Sequence, residues 1–161
     1  MPKLTAQASI QIQKTAAVVF NAIINANEMS QYFIEKSSGN LIENSEVTWK
    51  FPEFPDLFPV KGLRIIKDEY ISFDWSGGIE NMKVEIFLFP QEDDSTVMKI
   101  IEHEMEKSEE GIVQMMRQTE GWANFLACLK ANLEYGINLR KGSFENIKKQ
   151  HLKMSKFEKI T

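Results

Sequence analysis

Side chains able to shuttle protons, attack an electrophile or hold a metal are few in this chain. It contains two histidines, His103 and His151, and a single cysteine, Cys128. The histidines are far apart, one at the end of an expected strand and one in the C-terminal segment. No histidine stands near Cys128 in sequence to activate it. The cysteine also falls off the main apolar stripe of its expected helix, so it reads as an inert structural thiol. His103 is flanked by Glu102 and Glu104. Side chains alternate faces along a strand, so His103 points away from both carboxylates, which disfavours an acid–base pair or a metal site there. Gly-x-Ser-x-Gly, P-loop and Gly-x-Gly-x-x-Gly patterns are absent. No catalytic residue, metal ligand or cofactor is therefore expected.

Large apolar side chains are the better represented chemistry, with eleven phenylalanines, three tryptophans and eight methionines. Trp49 with Phe51, Phe73 with Trp75, and Met98 with Ile100 recur at strand spacing. Met115, Trp122 and Leu126 recur at helical spacing, with Thr119 near the edge of their stripe. Such residues line an apolar pocket or fill a solid core, and the pattern alone fits either. Methionines favour the pocket, since flexible thioethers adapt to irregular ligands. Glu102 shares the strand face of Met98 and Ile100 and is the best inward polar contact for a ligand, with Thr119 second.

The elements that must position these residues follow from periodicity. Ala6, Ala8, Ile10 and Ile12 alternate with polar residues as in a strand. Val18, Val19, Ala22 and Ile23 then recur as in a helix, with Thr15 as its N-cap. Asn25-Ala26-Asn27 breaks that helix, and a second short one is expected from about Glu28 to Glu35, with Met29, Tyr32 and Phe33 on one side. Strands follow around Val47–Phe51, Leu63–Ile66, Ile71–Trp75, Lys83–Phe89 and Thr96–Met105, and Ser76-Gly77-Gly78 marks a turn. Pro52, Pro55 and Pro59 crowd one connection and suggest an irregular or edge segment. After Ser108-Glu109-Glu110-Gly111 one long amphipathic helix is expected to run to Arg140 and Lys141, with Gly142 as its C′ residue. A sheet with one apolar face needs a cover, and only this helix is large enough. The expected fold is α+β, a helix-grip arrangement of antiparallel sheet on a long C-terminal helix, with two short helices after the first strand.

This order of elements resembles the START-like superfamily, also called Bet v 1-like or SRPBCC. Ile10-Gln11-Ile12 followed by Ala17-x-x-Phe20-x-Ala22 is similar to the family's first strand and helix. Thr96-x-Met98-x-Ile100-x-Glu102 is similar to its last strand. Gly121-Trp122 with Leu126, Leu129, Lys130 and Leu133 resembles the last helix of the branch related to the C-terminal domain of the activator of heat shock protein 90 ATPase. The resemblance spans about residues 4–140. The chain departs from that branch in the Pro- and Phe-rich stretch Phe51 to Pro59, in Tyr32-Phe33 where Trp-Phe is usual, and in lacking a counterpart of the co-chaperone's N-terminal domain. The resemblance implies non-catalytic binding of a small hydrophobic molecule between sheet and helix, near Trp122 and Met115. A chaperone-directed interaction module is the alternative it implies, and a cyclase- or lyase-type enzyme the third.

Composition bounds these expectations. A net charge of -4 and a pI near 5.3 argue against nucleic-acid binding over the whole surface. One cysteine excludes a disulfide framework, and no apolar run is long enough to span a membrane. Without a signal-like N-terminus, the cytoplasm is the expected compartment. Charge is uneven: residues 141–161 carry six lysines against Glu145 and Glu158, a net of +4, leaving 13 basic and 21 acidic groups, a net of -8, on residues 1–140. In that tail Phe144, Ile147, Leu152, Met154 and Phe157 intersperse the lysines. The expected organisation is a domain over 1–140 and a basic tail over 141–161, docked on the body or on a second subunit as a homodimer contact.

Overall fold

The computed structural model describes residues 3–75, 82–151 and 153–157. Seven antiparallel strands form one sheet: β1 (Leu4–Ile12), β2 (Lys36–Ser37), β3 (Glu46–Lys50), β4 (Leu57–Ile66), β5 (Tyr70–Asp74), β6 (Lys83–Pro90) and β7 (Thr96–Met105). Their order is β1-β7-β6-β5-β4-β3-β2. A meander therefore returns to pair its last strand with the first. Helices α1 (Ala16–Ile24) and α2 (Ala26–Met29) carry the chain from β1 to the opposite edge. Helix α3 (Glu109–Tyr135) packs along β1 and β7. The fold is α+β and helix-grip-like, as the sequence leads one to expect.

The period-2 pattern sets which face meets the helix. Thr96, Met98, Ile100 and Glu102 of β7 are buried, as are Val84, Ile86 and Leu88 of β6. The register aligns Leu88 with Met98, Ile86 with Ile100 and Val84 with Glu102. At the helix starts, Thr15 accepts from the Val18 amide and Ser108 from that of Gly111, each satisfying a donor the first turn leaves free. Asn25 closes α1 with its backbone N–H, which donates to the Asn21 carbonyl, and caps α2 with its side chain, which accepts from the amides of Asn27 and Glu28.

Three boundaries differ from expectation. Helix α2 stops at Met29, because the amides of Tyr32, Phe33 and Ile34 all turn back to the Met29 carbonyl; Met29, Tyr32 and Phe33 are nonetheless buried together. Strand β4 begins at Leu57 and contains Pro59, which pairs with Thr48 of β3. Its pairing with β5 starts only at Lys61, so Pro59 sits where one side of the strand is free and no ladder donor is lost. Helix α3 ends at Tyr135 rather than near Lys141. Gly136 takes a left-handed φ of 65° and the amides of Gly136 and Ile137 fold back on Asn132 and Ala131, a glycine C-terminus about six residues earlier than the Lys141 boundary implied. Arg140 and Lys141 are thus not on the helix. Beyond it, Phe144 packs against the core, and α4 (Ile147–His151) and a 3-10 turn (Met154–Phe157) follow. The expected turn at Ser76-Gly77-Gly78, like Leu152, lies outside the described residues.

Candidate apolar ligand site

The gap between sheet and helix is solid over most of its length. Ile12, Val19, Ile71, Ile86, Met98, Ile100, Phe125, Leu126 and Leu129 pack into one cluster, none more than 2% exposed. Towards the free end of β5 the packing opens into a cavity of about 440 Å³. Its walls are Phe33 after α2, Phe51, Phe54 and Phe58 around the β3–β4 connection, and Trp75 and Met82. The helix contributes Gln118, Gly121 and Trp122, and Arg140 closes the set. Gly121 supplies part of the space: a Cβ built there would meet nothing within 4 Å. Phe54 is 52% exposed and Gly121 is exposed, so the cavity opens to solvent beside them.

The walls are interlocked aromatics. Phe33 lies edge-on to Phe51 and Phe125, with centroids at 5.1 and 4.6 Å, and Phe58 meets both Phe51 and Phe54. The Trp75 and Trp122 rings lie 5.2 Å apart. Behind them stands Glu102, wholly buried. Its Oε1 accepts from Trp75 Nε1 at 3.1 Å and Gln118 Nε2 at 3.0 Å; its Oε2 accepts from Trp122 Nε1 at 2.6 Å and Gln118 Nε2 at 3.1 Å. Three donor nitrogens thus serve both carboxyl oxygens, with the Gln118 amide bridging the two. Glu102 therefore orients the two indoles and Gln118 rather than offering a lone pair to the cavity.

Arg140 is the charged group among the described wall residues. Its Nε and Nη2 donate to Glu53 Oε1 and Oε2 at 3.2 and 2.9 Å. Its guanidinium carbon lies 5.3 Å from the Phe33 centroid, 5.5 Å from Phe51 and 5.1 Å from Phe144. The ion pair ties the segment after α3 to the Pro-rich connection, both partners largely buried.

Of the residues singled out in the sequence, Phe51, Trp75 and Trp122 line the cavity. Trp49, Phe73, Met98, Ile100 and Leu126 are buried in the solid part. Met115 and Thr119 are half-buried and outside the wall, and the Thr119 hydroxyl donates to its own helix at Met115 O, 2.7 Å. Sequence reasoning missed Phe33, Phe54, Phe58, Met82, Gln118, Gly121 and Arg140. The density of phenylalanine and proline in Phe51 to Pro59 was the signal for Phe54 and Phe58. Cys128 is buried despite lying off the main stripe, and burial pushes its thiol up.

A second polar cluster lies on the outer sheet face. Glu85 accepts from Tyr70 at 2.5 Å, contacts His103 Nε2 at 2.7 Å and pairs with Lys83 at 3.1 Å. Among the described residues no group of three or more His, Cys, Asp or Glu is placed to hold a metal, and no helix is long and apolar enough to cross a membrane.

Residues 13–134 match the family described as Activator of Hsp90 ATPase homolog 1-like protein. The chain belongs to that family. Its fold is similar to protein SSP2350 from Staphylococcus saprophyticus, at 23% identity and a TM-score of 0.75, covering 85% of this chain and 96% of that one. It is also similar to the Aha1 dimer from Colwellia psychrerythraea, at 17% identity and a TM-score of 0.71, covering 83% and 98%. Protein EF2215 from Enterococcus faecalis aligns at 18% identity and a TM-score of 0.64, covering 94% and 85%. None of the curated proteins matches in sequence. At these identities the likenesses establish the fold of this Hsp90-activator-like chain.

Proposed function

We propose that this member of the activator family binds a small, predominantly apolar molecule in the cavity between the sheet and α3. The observation that carries this is the cavity itself: about 440 Å³, bordered by six aromatic rings, within the size range of small-molecule sites. The one ionisable side chain among the described wall residues is Arg140, which stays protonated and neither gives nor takes a proton. That supports binding over acid–base turnover.

Native mass spectrometry of protein from its own host tests the reading, with Gly121→Leu as comparison. The glycine has an ordinary helical backbone and open space at Cβ, so leucine fits the helix and fills the cavity. An extra mass that accompanies the native chain and disappears in Gly121→Leu is the expected result. An extra mass retained in that variant, or none in either, rejects the cavity as a ligand site.

A surface-mediated role on a chaperone is the second reading. The family supports it, as do Phe54 on the β3–β4 connection and Leu57 at the start of β4, 52% and 61% exposed. Failure of the saturating protein to stimulate a purified Hsp90 ATPase rejects it.

A further inference from the structure

Among the described residues the cavity has one cationic group, and its hydrogen bonds to described residues use only part of its capacity. Guanidinium has five N–H donors in a planar fork. The edge formed by Nε and Nη2 of Arg140 is taken by Glu53 in a two-point contact. The edge formed by Nη1 and the second N–H of Nη2 has no partner among the described residues. No side-chain nitrogen of a non-exposed described residue is both buried and unpaired. Nη1 has no partner among the described residues, and the Arg140 side chain borders the cavity. Its position is held by Glu53 on one edge and by the rings of Phe33, Phe51 and Phe144 around the guanidinium carbon. A planar charge fixed by other groups, with a free two-donor edge, is pre-organised for a carboxylate.

The other nitrogen donors of the described wall already have an acceptor. The indole N–H groups of Trp75 and Trp122 and the Gln118 amide all donate to Glu102. The rest of the described wall is mostly aromatic. On this basis, and resting on the ligand-binding reading above, we infer that the ligand is an aromatic or otherwise apolar monocarboxylate. Its carboxylate lies on the free edge of Arg140 and its apolar body against Trp75 and Trp122. Glu53 fixes the orientation of the guanidinium but also repels the incoming anion, so it moderates affinity.

A matched pair of probes tests this: 2-naphthylacetate and the neutral 2-naphthylethanol, titrated at pH 7 against protein labelled with nitrogen-15, with the indole signals of Trp75 and Trp122 followed by NMR. Both probes should shift those two signals, and the acid should bind about tenfold more tightly. Arg140→Met should remove the acid's advantage. Glu53→Gln, which retains an acceptor for Arg140 and removes the repelling charge, should increase that advantage several-fold and guards against misreading a folding defect in Arg140→Met. If both probes bind equally to the native chain, or if neither variant changes the acid-to-alcohol ratio, the carboxylate inference fails while the cavity reading stands. If neither probe moves the indole signals, both fail together.

Discussion

Strands β6 and β7 carry a glutamate on each face of the sheet, and the two are handled in opposite ways. Glu102 points inward, is wholly buried and accepts only from groups that do not titrate near neutrality, two indoles and an amide. Glu85 points outward, is 19% exposed and is surrounded by Tyr70, Lys83 and His103, all titratable. Neutral donors from two elements satisfy both oxygens of the inner carboxyl group, and so it fixes the wall of the cavity. The outer one is partly solvated, so its partners replace water that could return. The same residue type thus acts as a rigid strut on one face and as a solvent-responsive contact on the other.

The largest expected effect comes from removing the strut. Glu102→Ala leaves the N–H groups of Trp75, Trp122 and Gln118 without their acceptor, and each unpaired buried donor costs about 1–3 kcal/mol. The expected destabilisation is about 3–5 kcal/mol in denaturant unfolding, in line with breaking a buried charged network. A loss below that of a typical surface change would break the comparison. Next is Trp122→Phe, which removes the 2.6 Å bond to Glu102 but keeps most of the ring. A hydrogen bond to a charged group contributes about 1.5–3 kcal/mol, which sets the expected loss. The indole nitrogen signal of Trp75 should move as well, since its acceptor gains a free position.

Gly121 tests the wall from the other side. It lies inside α3 with open space around its Cβ, so Gly121→Ala should stabilise the chain by about 1 kcal/mol through helix propensity. A gain seen in thermal unfolding would confirm that the glycine keeps space open rather than permitting a close contact.

The elements were legible in the sequence because their periods are strong. Alternation in β1 and β7, the apolar stripe of α3 and the N-caps Thr15 and Ser108 are local signals, and each stands where its residues imply. The end of α3 was not, because Gly136 and Gly142 both adopt positive φ, and periodicity does not say which of them stops the helix. The site was legible in part. Trp75 and Trp122 follow from strand and helix periods. Phe54 and Arg140 sit on irregular backbone, where no period predicts direction, and Phe58 lies in the part of β4 that precedes the expected strand Leu63–Ile66. Glu102 was recognised as inward-facing, but that both its oxygens are satisfied depends on Gln118 and both indoles arriving from α3 and β5. That is a tertiary fact.

The smallest effect is expected at Glu85, and its dependence on pH is what distinguishes it. Burial raises the Glu85 carboxyl, but the hydrogen bonds from Tyr70, Lys83 and His103 outweigh this and hold it below its ordinary value of 4.5. A carboxyl lowered by folding binds protons more readily in the unfolded chain. Its contribution is therefore complete above pH 4.5 and disappears as pH falls through the lower folded value. Glu85→Gln should cost about 0.5 kcal/mol at pH 7, the scale of a partly solvated ion pair. The difference between native chain and variant should shrink towards zero in acid, as measured by urea unfolding across that range. A difference that stays constant down to pH 2.5 would mean that Glu85 acts through shape rather than charge, and the contrast between the two faces of the sheet would then be lost.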